Sequence, residues 1–141
     1  MKQALCFTIL ILFLTSNILA LGVTPARNTI DFVPDYSGGG SFKILNTENI
    51  ERELVIKTRG ELGSNIDLDK RRVNFAAGEK ESVVNYGLTL PSTLSPGLHI
   101  GEIVISEPEE EILGGDTIVG AKLSVVTQIY VYVPVPSASL S

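Results

Sequence analysis

The sequence predicts an all-β protein, a seven-stranded two-layer sandwich preceded by an N-terminal leader. Two observations carry the fold class. Short runs along the chain alternate apolar and polar residues with the period of two that extended backbone imposes. Clusters of Gly, Pro, Asn and Asp separate those runs, and no window of a dozen residues holds a helical stripe. A third observation, the apolar start of the chain, sets its compartment.

Residues 1–20, MKQALCFTILILFLTSNILA, read as a secretory signal peptide: one early charge at Lys2, an apolar stretch from Ala4 to Leu14, a polar break at Thr15 to Asn17 and a small residue at Ala20. The apolar stretch is short for a spanning helix, which needs roughly 20 residues. Ile18 is bulky two positions before the cut, so an uncleaved N-terminal anchor stands as the alternative. Either way the remaining chain is expected to be extracytoplasmic: secreted, periplasmic or on the cell surface.

Taking the twenty leader residues from 141 leaves 121, enough for one domain with its own core. Cys6 is the only cysteine and lies in the leader, so the mature chain has no disulfide and no thiolate or cysteine-zinc chemistry. Loss of Lys2 moves the formal charge from −5 to −6, which argues against nucleic acid as a partner. The expected domain spans residues 21–134. The tail, residues 135–141, is rich in proline and serine and reads as a linker or disordered end.

The strands follow in order. Ile30 and Phe32 alternate around Asp31, Phe42 and Ile44 around Lys43, and Leu54 and Ile56 lie between Glu53 and Lys57. Val73 and Phe75 flank Asn74; Val84, Tyr86, Leu88 and Leu90 form a longer run; Ile103 and Ile105 flank Val104. The last run is the longest. Leu123, Val125, Thr127, Ile129, Val131 and Val133 share one phase and are expected to face the core, while Lys122, Ser124, Val126, Gln128, Tyr130 and Tyr132 share the other. The predicted core is Phe32, Phe42, Ile44, Leu54, Ile56, Phe75, Val84, Tyr86, Leu88, Ile103, Ile105, Val125, Ile129 and Val131.

Three features invite chemistry. Gly38, Gly39 and Gly40 suggest a phosphate loop, but no Lys-Ser/Thr or helix follows, and a hairpin turn between the first two strands is the expectation. His99, the only histidine, has no second histidine or mature cysteine to share a metal. It is expected to pack at a strand entrance with its ring hydrogen-bonded. The run EPEEEILGGD gathers Glu107, Glu109, Glu110, Glu111 and Asp116 without the spacing of a calcium loop, and reads as a solvated loop before the last strand. No nucleophile elbow, phosphate loop or dinucleotide fingerprint is present, so no enzyme and no cofactor is expected.

Taken in order, "VTPARNTIDF", "SFKILNTEN", "VNFAAGEKESVVNYGLTLP", "LSPGLHIGEIVIS" and "GAKLSVVTQIYVYVP" resemble the N-terminal immunoglobulin-like domain of PapD-type pilus chaperones. They also resemble major-sperm-protein-like domains and exported immunoglobulin-like domains of archaeal surface proteins. The resemblance implies an immunoglobulin-like sandwich. In the chaperones, an arginine on the first strand and a lysine on the last hold a subunit's terminal carboxylate, and the last strand's edge completes the subunit's sheet. Arg27 matches the arginine, whereas Tyr130 stands where the lysine would be.

These readings predict an exported, non-catalytic module with a structural or protein-interaction role. The alternatives are a pilus-assembly or secretion chaperone that works by β-strand addition, and a calcium-dependent adhesion or polysaccharide-binding module. The partner is a protein or a neighbouring domain, with membrane contact only through an uncleaved leader. Its recognition is expected to use Arg27, Gln128, Tyr130 and Tyr132, with the far end of the last strand left unpaired as an edge.

Overall fold

Among the described residues nine strands form: β1 (Gly22–Thr24), β2 (Arg27–Asp31), β3 (Ser37–Leu45), β4 (Arg52–Gly60), β5 (Ile66–Leu68), β6 (Arg72–Phe75), β7 (Glu81–Thr89), β8 (Gly97–Ser106) and β9 (Ser124–Val133). They are seen in a computed structural model that describes residues 21–109 and 122–136. Residues 1–20, where the leader is anticipated, most of the acidic loop and residues 137–141 lie outside the described residues.

The strands form two sheets, ordered β1-β3-β7-β5 and β2-β9-β8-β4-β6. Every pairing is antiparallel except that of β2 with β9. The architecture is the expected all-β sandwich with two strands more than the seven anticipated. β1 and β5 are the additions. Each is three residues long, too short for alternation to distinguish it from a turn.

The period-two reading of β9 holds along its length. Thr127, Ile129, Val131 and Val133 are buried, Leu123 and Val125 are half-buried, and Tyr132 is exposed. Of the predicted core, all are buried except Phe32 and Val125, which are half-buried and pack against it. Phe32 lies just past the end of β2, and Val125 lies where β9 has a neighbour on one side only, so each is covered incompletely. Leu21, Leu62, Ile66, Leu68, Val73 and Leu90 complete the core, most of them from the short elements between β4 and β7. Burying one such side chain contributes roughly 1.5–3 kcal/mol, which makes this layer the main stabilising element.

Gly38, Gly39 and Gly40 are not a hairpin turn. They lie inside β3, opposite Leu88, Gly87 and Tyr86 of β7, and β2 and β3 belong to different sheets. Glycine is required there by close approach. A Cβ on Gly40 would stand 2.7 Å from the Tyr86 hydroxyl, and one on Gly39 would collide with the Tyr86 carbonyl oxygen. The Tyr86 ring uses the space, tilts against Phe42 with centroids 6.5 Å apart, and accepts a 2.6 Å hydrogen bond at its hydroxyl from Asn28 Nδ2. That bond links β7 in one sheet to β2 in the other.

Candidate interaction edge on the last strand

β9 is an interior strand over one half and an edge over the other. β8 pairs with all of it, from Gly97 opposite Val133 to Ser106 opposite Ser124. β2 covers only Gln128 to Tyr132. The expectation that the far end near Tyr130 and Tyr132 stays unpaired is therefore overturned: the parallel β2 occupies that edge, and the uncovered stretch is Ser124–Thr127.

Backbone direction follows from the hydrogen bonds. Gln128 N–H donates to the Ala26 carbonyl at 3.0 Å, and Phe32 N–H donates to the Tyr132 carbonyl at 3.0 Å. Both backbone groups of a strand residue point to the same side, and that side alternates. Even-numbered residues of β9 thus face β2, while odd-numbered ones face β8. Ser124 and Val126 face the side where β2 is missing, and no described strand pairs with them there. Thr127 closes the slot by donating its hydroxyl to the Pro25 carbonyl at 2.8 Å. Beside the slot, Leu123 and Val125 are half-buried, so their apolar surface is only partly covered.

The four anticipated partner-binding residues share the outer face of the five-stranded sheet. Arg27 is exposed at the start of β2, and its guanidinium lies 4.2 Å from the centroid of the Tyr130 ring. Gln128 is half-buried and donates through Nε2 to Glu102 Oε1 at 3.2 Å, while Glu102 Oε2 accepts from Arg59 Nε at 2.5 Å. Arg59 first and Gln128 second hold the Glu102 carboxyl below its ordinary range. Tyr132 is 46% exposed opposite Leu98, itself 49% exposed. Arg27 and Tyr130 are thus in contact, Gln128 belongs to a polar row of its own, and Tyr132 belongs to an apolar pair.

His99 packs as anticipated, buried at the entrance of β8 with both ring nitrogens engaged. Nδ1 lies 2.6 Å from Glu61 Oε1, and Nε2 lies 2.7 Å from the Ser95 carbonyl oxygen. Both neighbours are acceptors, so the doubly protonated ring satisfies both and the neutral ring only one. The Ser95 carbonyl, followed by the Glu61 carboxylate, raises the His99 pKa above its ordinary value. Glu61 gave no sequence signal, because it precedes His99 by 38 residues and sits in the turn that follows β4.

The stem of the acidic loop is tied down on its described side. Arg52, nearly buried, pairs with Glu48 at 2.8 Å and Glu107 at 3.7 Å. Glu107 N–H donates to the Leu123 carbonyl, and Lys122 pairs with Glu109 at 3.5 Å. Glu110, Glu111 and Asp116 lie outside the described residues, and with them the anticipated loop.

No family model and no curated protein matches the sequence. Solved structures do match in fold. The periplasmic chaperone SfaE superposes with a TM-score of 0.57 at 6% identity, over 82% of this chain and 60% of that one. The Escherichia coli chaperone DraB gives 0.56 at 10% identity, over 81% and 55%. The ASH/PapD-like domain 7 of human CEP192 gives 0.56 at 9% identity, over 88% and 97%. The chain thus spans just over half the length of the two chaperones and nearly all of the CEP192 domain. At these identities the likeness establishes the fold, which is the PapD-like immunoglobulin sandwich.

Proposed function

We propose that this chain is an exported, non-catalytic interaction module that takes an extended segment of a protein partner along Ser124–Thr127. The observation that carries the reading is the late start of β2, which begins at Arg27 opposite Gln128 and leaves the backbone groups of Ser124 and Val126 directed outward without a described strand beside them. An added strand would pair with those groups and cover Leu123 and Val125. Arg27 stands at the closed end of the slot, and its planar fork is suited to a carboxylate of the incoming chain. Tyr130 and Tyr132 extend the contact face on the neighbouring surface.

The pilus-chaperone reading is a special case in which the partner is a pilus subunit. SfaE and DraB, chaperones of the same fold, support it. The tyrosine that stands in place of the chaperones' lysine favours the broader module.

A photo-crosslinking residue at Ser124 tests the reading in exporting cells. The expected result is a protein adduct that Val126→Pro abolishes, since proline removes the outward N–H. An adduct formed equally well by the Val126→Pro chain would overturn it, provided circular dichroism shows that the variant is folded.

A further inference from the structure

The opposite flank of the sandwich, where β4, β5 and β6 meet, holds a second feature that the strand-addition reading does not use. A groove of about 550 Å³ opens between the two sheets. That volume lies within the roughly 300–1,000 Å³ typical of small-ligand sites. It forms because β6 covers β4 only from Arg52 to Val55, and β5 is the last strand of its own sheet.

Its walls are fixed by the fold. Ile56 N–H donates to the Arg71 carbonyl at 2.9 Å and holds the Arg71 backbone against β4. On the other wall, Asn65 N–H donates to the Leu62 carbonyl at 2.9 Å, and its Nδ2 donates to the Thr89 carbonyl at 2.9 Å. Thr58, Ser64 and Thr89 also line the groove.

Arg71 differs in its surroundings from the other arginines. The other four arginines of the chain are engaged: Arg52 with Glu48 and Glu107, Arg59 with Glu102, Arg72 with Glu53, and Arg27 with the Tyr130 ring. Arg71 has no described carboxylate within 4.0 Å, and Asp67 has no described cation within that distance, yet both line the groove. A ligand with one charge would satisfy one of them and face the other unpaired. A dipolar ligand satisfies both.

We propose that the groove binds a small zwitterion of the amino-acid or short-peptide class, with its carboxylate on the Arg71 guanidinium, its ammonium on Asp67 and its polar body beside Thr58, Ser64 and Thr89. A guanidinium–carboxylate contact is charge-assisted and directional, so Arg71 supplies most of the selectivity. The site is independent of the β9 edge and stands or falls separately from it.

The test is a titration of the ¹⁵N-labelled protein with glycylglycine, acetate and ethylamine, following the Ser64, Asn65 and Asp67 amides by NMR. The expected result is saturable shifts with glycylglycine, about tenfold weaker binding to Arg71→Ala and to Asp67→Asn, and binding at least about tenfold weaker for either single-charge probe. Val126→Pro should leave the titration unchanged. No saturable shift, equal affinity for acetate, or affinity unchanged in both groove variants would overturn the proposal. Both residues are exposed, so their replacement should leave the fold intact, and the unperturbed spectrum of each variant checks this.

Discussion

The Arg27 guanidinium lies 4.2 Å from the centre of the Tyr130 ring, with the two residues on neighbouring parallel strands. A planar cation over an aromatic face at a partly exposed site contributes about 0.5–1 kcal/mol. A double-mutant cycle with Arg27→Gln and Tyr130→Leu should return a coupling energy of that size from urea denaturation. Tyr130→Phe should keep the coupling, because the ring supplies the attraction. A coupling of zero would show that the stacking is incidental to stability.

His99 makes stability depend on pH in a direction set by its two acceptors. Its pKa is raised on folding above the ordinary 6.5, so its contribution is fully present below that value and is lost as pH rises through the folded pKa. Glu102 and Asp69 act oppositely. Arg59 lowers the first from 4.5, and the Asn85 side-chain amide lowers the second from 3.8, so their contributions are present above those values and are lost on acidification. The midpoint of urea unfolding should therefore peak between about pH 4.5 and 6.5. Glu61→Gln should make the alkaline side of the profile shallower, with the Ser95 carbonyl still holding part of the shift, and leave the acidic side unchanged. A wild-type alkaline slope retained in that variant would show that Glu61 does not contribute.

Gly39 and Gly87 face each other across β3 and β7 and should respond oppositely to alanine. A Cβ on Gly39 meets the Tyr86 backbone carbonyl, which cannot move without disturbing the ladder. A Cβ on Gly87 has only the Gly38 carbonyl oxygen, 3.9 Å away. Gly39→Ala should cost about 1–3 kcal/mol, while Gly87→Ala should gain up to about 1 kcal/mol by restricting the unfolded chain. Thermal unfolding of the two variants decides it.

The glycines also show where sequence reasoning reaches its limit. Alternation is a local property, so it located β9 and nearly all of the buried residues it contributes, from Thr127 to Val133. A run of three glycines carries no side-chain phase, and only the distant Tyr86, 46 residues from Gly40 and unknowable as its neighbour, explains why they sit in a strand. The same holds for the edge. Phase assigns Gln128, Tyr130 and Tyr132 to the outer face, but which backbone groups stay unpaired depends on where β2 begins, and β2 lies about a hundred residues away. The sequence singled out Arg27 only through its resemblance to a chaperone arginine, whereas its contact with Tyr130 required the parallel pairing. Glu61 beside His99 is likewise a product of topology.

Backbone exchange with solvent tests the half-covered strand directly. Gln128 and Tyr130 donate toward β2, whereas Ser124 and Val126 point the same way with no described strand to receive them. Hydrogen exchange followed by NMR should show Ser124 and Val126 exchanging about two orders of magnitude faster than Gln128 and Tyr130. Val125 and Thr127, directed at β8, should be protected even though they lie in the same uncovered stretch. This odd–even alternation of protection is what a one-sided edge produces, and fraying of the strand start would instead expose consecutive residues alike. If Ser124 and Val126 are as protected as Gln128, another segment already covers that edge, and the slot proposed for a partner is closed.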